Sequence, residues 1–138
     1  MYGLDINLDY NTTKEYRFRY ESQCDCAYCR NYYKTFKIKY IKMSKLLEDF
    51  GLCIDFPLET MPLEYDEMNK EIEYISYYPV KGTIDEDSLI LNLEELELRI
   101  LKGSDINNPC PNSKMEAPYL LIEISGIKLP WILDEEIE

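Results

Sequence analysis

The spacing of apolar and polar positions divides the chain into segments of different period. Leu4, Ile6, Leu8 and Tyr10 alternate with Asp5, Asn7 and Asp9. Tyr16, Phe18 and Tyr20 alternate with Glu15, Arg17, Arg19 and Glu21. A period of two predicts half-buried strands. Asn11-Thr12-Thr13 between them supplies turn chemistry, so the two are expected to pair as an antiparallel hairpin. The period then lengthens. Tyr28, Tyr32, Phe36, Tyr40, Met43, Leu47 and Phe50 follow one another at intervals of three or four residues, which makes a single apolar stripe on a helical repeat. This predicts one long amphipathic helix of about six turns. Asp25 is its expected N-cap, and Gly51 its C′ residue.

Residues 52–70 show no period, and Pro57 and Pro62 interrupt them, so they read as irregular. Alternation resumes at Ile72, Tyr74, Ser76, Tyr78 and Val80, with Pro79 suggesting an edge or a bulge. Leu89, Leu91 and Leu93 form the next strand pattern, and Leu96, Leu98 and Ile100 another. The most loop-like stretch is 102–118. After it, Leu120, Ile122 and Ile124 lead to Ser125-Gly126, and Ile127, Leu129, Trp131 and Leu133 continue the alternation. Strands on both sides of one helix give the order ββ-α-ββββ. The expected fold is α+β, an antiparallel sheet (sandwich or partly closed barrel) with the helix packed on one face. A doubly wound parallel sheet needs more alternating helices. The length, 138 residues, and the absence of a linker pattern point to one domain spanning 1–138.

Charge changes the picture more than composition does. The net charge is −12. Residues 11–45 hold nine Lys/Arg against three acids, while residues 46–138 hold six against 22. Arg30, Lys34, Lys37, Lys42 and Lys45 fall largely opposite the apolar stripe. That basic face, next to tyrosines, has the ingredients of a nucleic-acid surface. The ordinary polar side of an amphipathic helix and the acidity of the other segments argue against nucleic acid and for an acidic protein partner or the chain's own acidic strands. No basic and apolar leader opens the chain, and no apolar run approaches ~20 residues. A cytoplasmic protein without a membrane segment is expected, and the five cysteines fit a reducing compartment.

Histidine is absent. Ser–His and Cys–His nucleophile pairs are therefore excluded, and with them the usual general base near neutral pH. The five glycines are scattered, so there is no phosphate-cradling loop. A non-catalytic binding or accessory module fits these omissions better than an enzyme does.

The remaining chemistry lies in Cys24, Cys26 and Cys29, three thiols within six residues at the predicted strand-to-helix junction. Cys24 and Cys26 project to one side if strand backbone continues through them, and Cys29 lies in the first helical turn. Three converging thiolates suit zinc, which takes four ligands in structural sites. Cys110, held between Pro109 and Pro111, is the candidate for the fourth, and Cys53 lies at the far end of the helix. Two other readings stay open. Cys26-Ala27-Tyr28-Cys29 is a C-x-x-C at a helix start beside Arg30, as a thiol-redox pair requires. Free cysteines also pack as small apolar residues. The acidity of residues 46–138 adds the reading of an inhibitor or immunity-type protein steered onto a basic partner.

Two stretches, Cys24-Asp25-Cys26-Ala27-Tyr28-Cys29-Arg30-Asn31-Tyr32 and Gly126-Ile127-Lys128-Leu129-Pro130-Trp131-Ile132-Leu133-Asp134-Glu135, resemble segments of small uncharacterised bacterial proteins of similar length and element order. The resemblance implies no activity or ligand. It directs attention to the cysteine cluster and to Trp131, which as a large aromatic is expected to close the sheet.

Overall fold

The computed structural model describes residues 6–16, 24–103 and 118–134. Within them, strand β1 (Ile6–Leu8) is followed by three helices, α1 (Tyr10–Tyr16), α2 (Ala27–Lys39) and α3 (Ile41–Asp49). Strands β2 (Glu59–Asp66), β3 (Glu71–Ile84), β4 (Ser88–Leu93), β5 (Leu96–Lys102) and β6 (Tyr119–Pro130) come next. The strands form one antiparallel sheet, ordered β1-β3-β6-β5-β4 with β2 also on β3, and the sheet curls into a half-barrel. The fold is mostly sheet with three short helices. The expected single long helix and the order ββ-α-ββββ are therefore corrected.

The first correction concerns the second expected strand. Asp9 accepts hydrogen bonds from the Thr12 amide (3.0 Å) and the Thr12 hydroxyl (2.7 Å). That is N-cap geometry, so Asn11-Thr12-Thr13 opens α1 rather than turning a hairpin. The rest of that expected strand, from residue 17 on, lies outside the described residues.

The second correction concerns the helix. Its stripe is buried from Tyr32 to Phe50 as expected, but on two helices. At Tyr40 the backbone leaves the helix (φ −112°, ψ 67°). The Tyr40 hydroxyl donates to the Lys128 carbonyl (3.2 Å) and accepts from the Lys128 amide (3.0 Å). The break thus coincides with a side-chain bond to β6, while the Tyr40 amide and carbonyl keep their helical partners Phe36 and Ser44 and the apolar spacing runs through unchanged. The restarted helix α3 has no cap from its own N-cap residue. Glu94 supplies one from the β4–β5 turn, its carboxylate accepting the Met43 amide at 2.7 Å. At the other end Leu52 donates to the Leu47 carbonyl (3.0 Å) and Gly51 to that of Glu48 (2.9 Å), with Gly51 at φ +94°. This is a Schellman stop.

The third correction is β2, in the stretch expected to be irregular. Pro62 is tolerated because β2 is an edge strand that, among the described residues, pairs with β3 alone. Pro79 follows related logic inside β3. The Tyr77 carbonyl accepts from Leu58 and the Lys81 carbonyl from Asp9, so residues 77, 79 and 81 address the same edge. Pro79 falls between the end of β2 pairing at Tyr77 and the start of β1 pairing at Gly82, where no amide is required.

The core joins Phe36, Met43, Leu46, Leu47 and Phe50 of the helices to Tyr74, Tyr78, Leu98, Ile100, Ile122 and Ile124 of the sheet. It carries a satisfied polar chain. The Tyr32 hydroxyl bonds Ser76 Oγ (2.9 Å) and the Tyr78 hydroxyl (2.8 Å), and Tyr78 donates to the Ile54 carbonyl (2.8 Å).

Candidate metal centre

The site is built at the N-terminus of α2. Cys26, not Asp25, is the N-cap, with extended backbone (φ −64°, ψ 163°). Cys29 then occupies the third helical position. N-cap and third position face each other across the first turn, the spacing a capping box uses. Cys24 precedes Cys26 by two residues and projects to the same side. The three sulfurs lie within 4.8 Å of one another, and the Cys24 and Cys26 sulfurs are 3.4 Å apart. A tetrahedral zinc–thiolate site, with Zn–S near ~2.3 Å, sets neighbouring sulfurs about 3.8 Å apart. Shifts of ångström size complete three of its corners.

The scaffold fixes this turn firmly. Tyr74 on β3 donates to the Tyr28 carbonyl (2.8 Å). The Asn31 side chain, fully buried, donates to the Pro130 carbonyl (3.0 Å) and accepts from the Ile132 amide (2.9 Å). Trp131 meets Tyr28 edge-on, ring centres 5.7 Å apart, so it closes the sheet end over the helix start. Tyr33 donates to the Cys24 carbonyl (2.8 Å) and Arg30 Nε to that of Asp25 (2.7 Å). Asn31, Tyr33 and Tyr74 were not singled out as site residues by the sequence. A polar Asn on the buried side of a helix was the available signal.

The thiols differ electrostatically. Cys29 is buried, and burial together with its hydrogen bonds to Cys24 and Cys26 pushes its thiol well above the usual range. Burial also pushes the Cys26 thiol up. The backbone N–H of Cys29, the thiols of Cys24 and Cys29 and the N–H of Tyr28 together outweigh it, and the thiol lies below its ordinary value. No full capping hydrogen bond has formed, yet the open first turn favours negative charge at this sulfur. Zinc with three thiolates carries net −1, which the same helix end favours.

Among the described residues, this is where three potential metal-binding side chains converge. Cys53 is not among them. Cys110, the candidate fourth ligand, lies outside the described residues. Of the basic helix face, Lys37 is engaged within the chain by Asp55 (3.1 Å); Lys39, also on α2, pairs with Glu71 (3.2 Å). No helix among the described residues is long and apolar enough to cross a membrane. No family model matches the chain, and neither curated proteins nor solved structures yield a match.

Proposed function

We propose that the chain is a non-catalytic binding module whose Cys24, Cys26 and Cys29 hold a structural zinc ion, with Cys110 or water as fourth ligand. The observation that carries this reading is the convergence of three sulfurs within 4.8 Å on a turn anchored to two strands. The ion ties residues 24–26 to the first turn of α2, and its binding free energy adds directly to folding. Metal analysis of the purified chain tests it. About one zinc per chain is expected, together with thiolate-to-metal absorption on cobalt substitution, both abolished in C24S/C26S/C29S. A zinc content below about a tenth per chain and no such absorption would end the proposal.

One observation favours a second reading, thiol–disulfide exchange. Exposed Cys26 sits three residues from buried Cys29 at a helix N-terminus. In that chemistry Cys26 thiolate attacks a substrate disulfide and releases one thiolate. Cys29 then passes its proton to the released substrate thiolate and attacks Cys26 sulfur, releasing the second substrate thiolate and leaving a Cys26–Cys29 disulfide. Alkylation near pH 6 separates the readings. Rapid labelling of Cys26 that added zinc does not slow supports exchange, and protection by zinc supports the metal site.

A further inference from the structure

Strand β4 ends the sheet, and among the described residues its only neighbour is β5. The β4–β5 turn contains two residues, Glu94 and Glu95, both in the left-handed region (φ 54° and 68°). Leu93 pairs with Leu96 across it. A two-residue turn of this type makes that flanking pair the hydrogen-bonded one. Bonded and non-bonded pairs alternate from there, so Leu93, Leu91 and Leu89 direct their amides and carbonyls to β5. Ser88, Ile90 and Asn92 direct theirs outward. The side chains of these same three residues are exposed, Ile90 by 50%.

Natural edges are blunted by charge, proline or bulges. The β2 edge has Pro62, acidic residues and a register shift. β4, Ser-Leu-Ile-Leu-Asn-Leu, has none of these devices. Its charges lie at its ends, with exposed Asp85, Glu86 and Asp87 before it and exposed Glu95 after it. On the adjoining strand Arg99, opposite Ile90, lies 3.7 Å from Glu97, and Lys102 follows Leu101 at the Ser88 end.

These ends decide the occupant. A second copy pairing antiparallel through the outward-facing residues sets Ile90 against Ile90 on the two-fold axis. Past the strand ends, that pairing brings the exposed Asp85, Glu86 and Asp87 of each copy toward the exposed Glu95 of the other. Like charges gathered at both ends of a pairing are destabilising. We propose that β4 is a strand-addition site for a partner protein, taking an extended segment with an uncharged, alternating centre and Lys or Arg at both ends. The backbone of Ser88, Ile90 and Asn92 supplies the hydrogen bonds, and the acidic brackets supply register and steering. The inference rests on the binding-module half of the proposed function and not on the metal.

The test uses the full chain and two synthetic peptides. Both have an alternating threonine–valine centre; one carries lysines at both ends and the other glutamates. The lysine peptide is expected to bind, more weakly as salt rises, and to slow exchange of the Ser88, Ile90 and Asn92 amides. I90P removes an outward amide at an edge position where proline is tolerated, and should weaken binding about tenfold or more. D85K/E95K leaves the backbone intact and should reverse the preference between the peptides. Equal binding of both peptides, wild-type affinity in I90P, or amides already protected in the free chain overturns the proposal. A dimer that I90P dissociates assigns the edge to a second copy and also overturns it. Zinc content measured on the same samples shows whether a failure touches the edge alone or the metal reading as well.

Discussion

At the scale of single residues, the backbone conformations that matter are the left-handed ones. Gly51 sits at φ +94°, and a Cβ there would lie 2.7 Å from the Tyr10 carbonyl oxygen. Left-handed backbone alone costs an L-residue about 1–2 kcal/mol, so G51A should lower unfolding free energy in urea by at least that much. Glu95 occupies the same region without being glycine, and its side chain is exposed. E95G is expected to leave stability unchanged or raise it by up to ~1 kcal/mol. Gly51 was legible as a helix stop, because a glycine directly after an apolar stripe has few other uses. The Glu94-Glu95 turn was not, since Asn-Gly is the pairing such turns favour.

At the scale of elements, contacts from distant strands decide where helices stop and restart. Y40F removes the hydroxyl that serves both the amide and the carbonyl of Lys128. Leaving those groups unpaired should cost about 1–3 kcal/mol, read by urea denaturation. E94A removes the distant cap of α3 and should cost about 1 kcal/mol; the drop in helical signal would be confined to residues 41–49. These contacts explain what sequence periodicity reached and what it missed. The alternation from Ile72 onward was readable because one face of β3, β5 and β6 is buried. The break at Tyr40 was not readable, because the contact that accompanies it lies 88 residues away. The alternation misled at Glu15 and Tyr16, because Asp9 offers Thr12 a cap that opens α1 through them. For β2, Pro62 obscured a strand that needs pairing on one side only. The cysteine cluster was legible from spacing, since N-cap and third helical positions face each other across a first turn.

At the scale of the whole molecule, buried tyrosines set the response to alkali. Burial pushes Tyr32 and Tyr78 well above the ordinary phenol range. The unfolded chain therefore loses these protons first, near pH ~10, and binds fewer than the folded chain. Stability must fall as pH rises through that window. Thermal melts between pH 8 and 11 check the sign; a flat profile would contradict the buried network.

The Asn31 side chain reaches partners 99 and 101 residues further along the chain. Such separations make for high contact order, and closing loops of that size is entropically slow. During synthesis, the cysteine turn emerges long before the strand that holds it. Its thiols thus pass through a nascent stage without their Asn31 support, and final alignment of the sulfurs must await the last strand. Ordered assembly, rather than the short cysteine motif itself, determines when this turn reaches its finished shape.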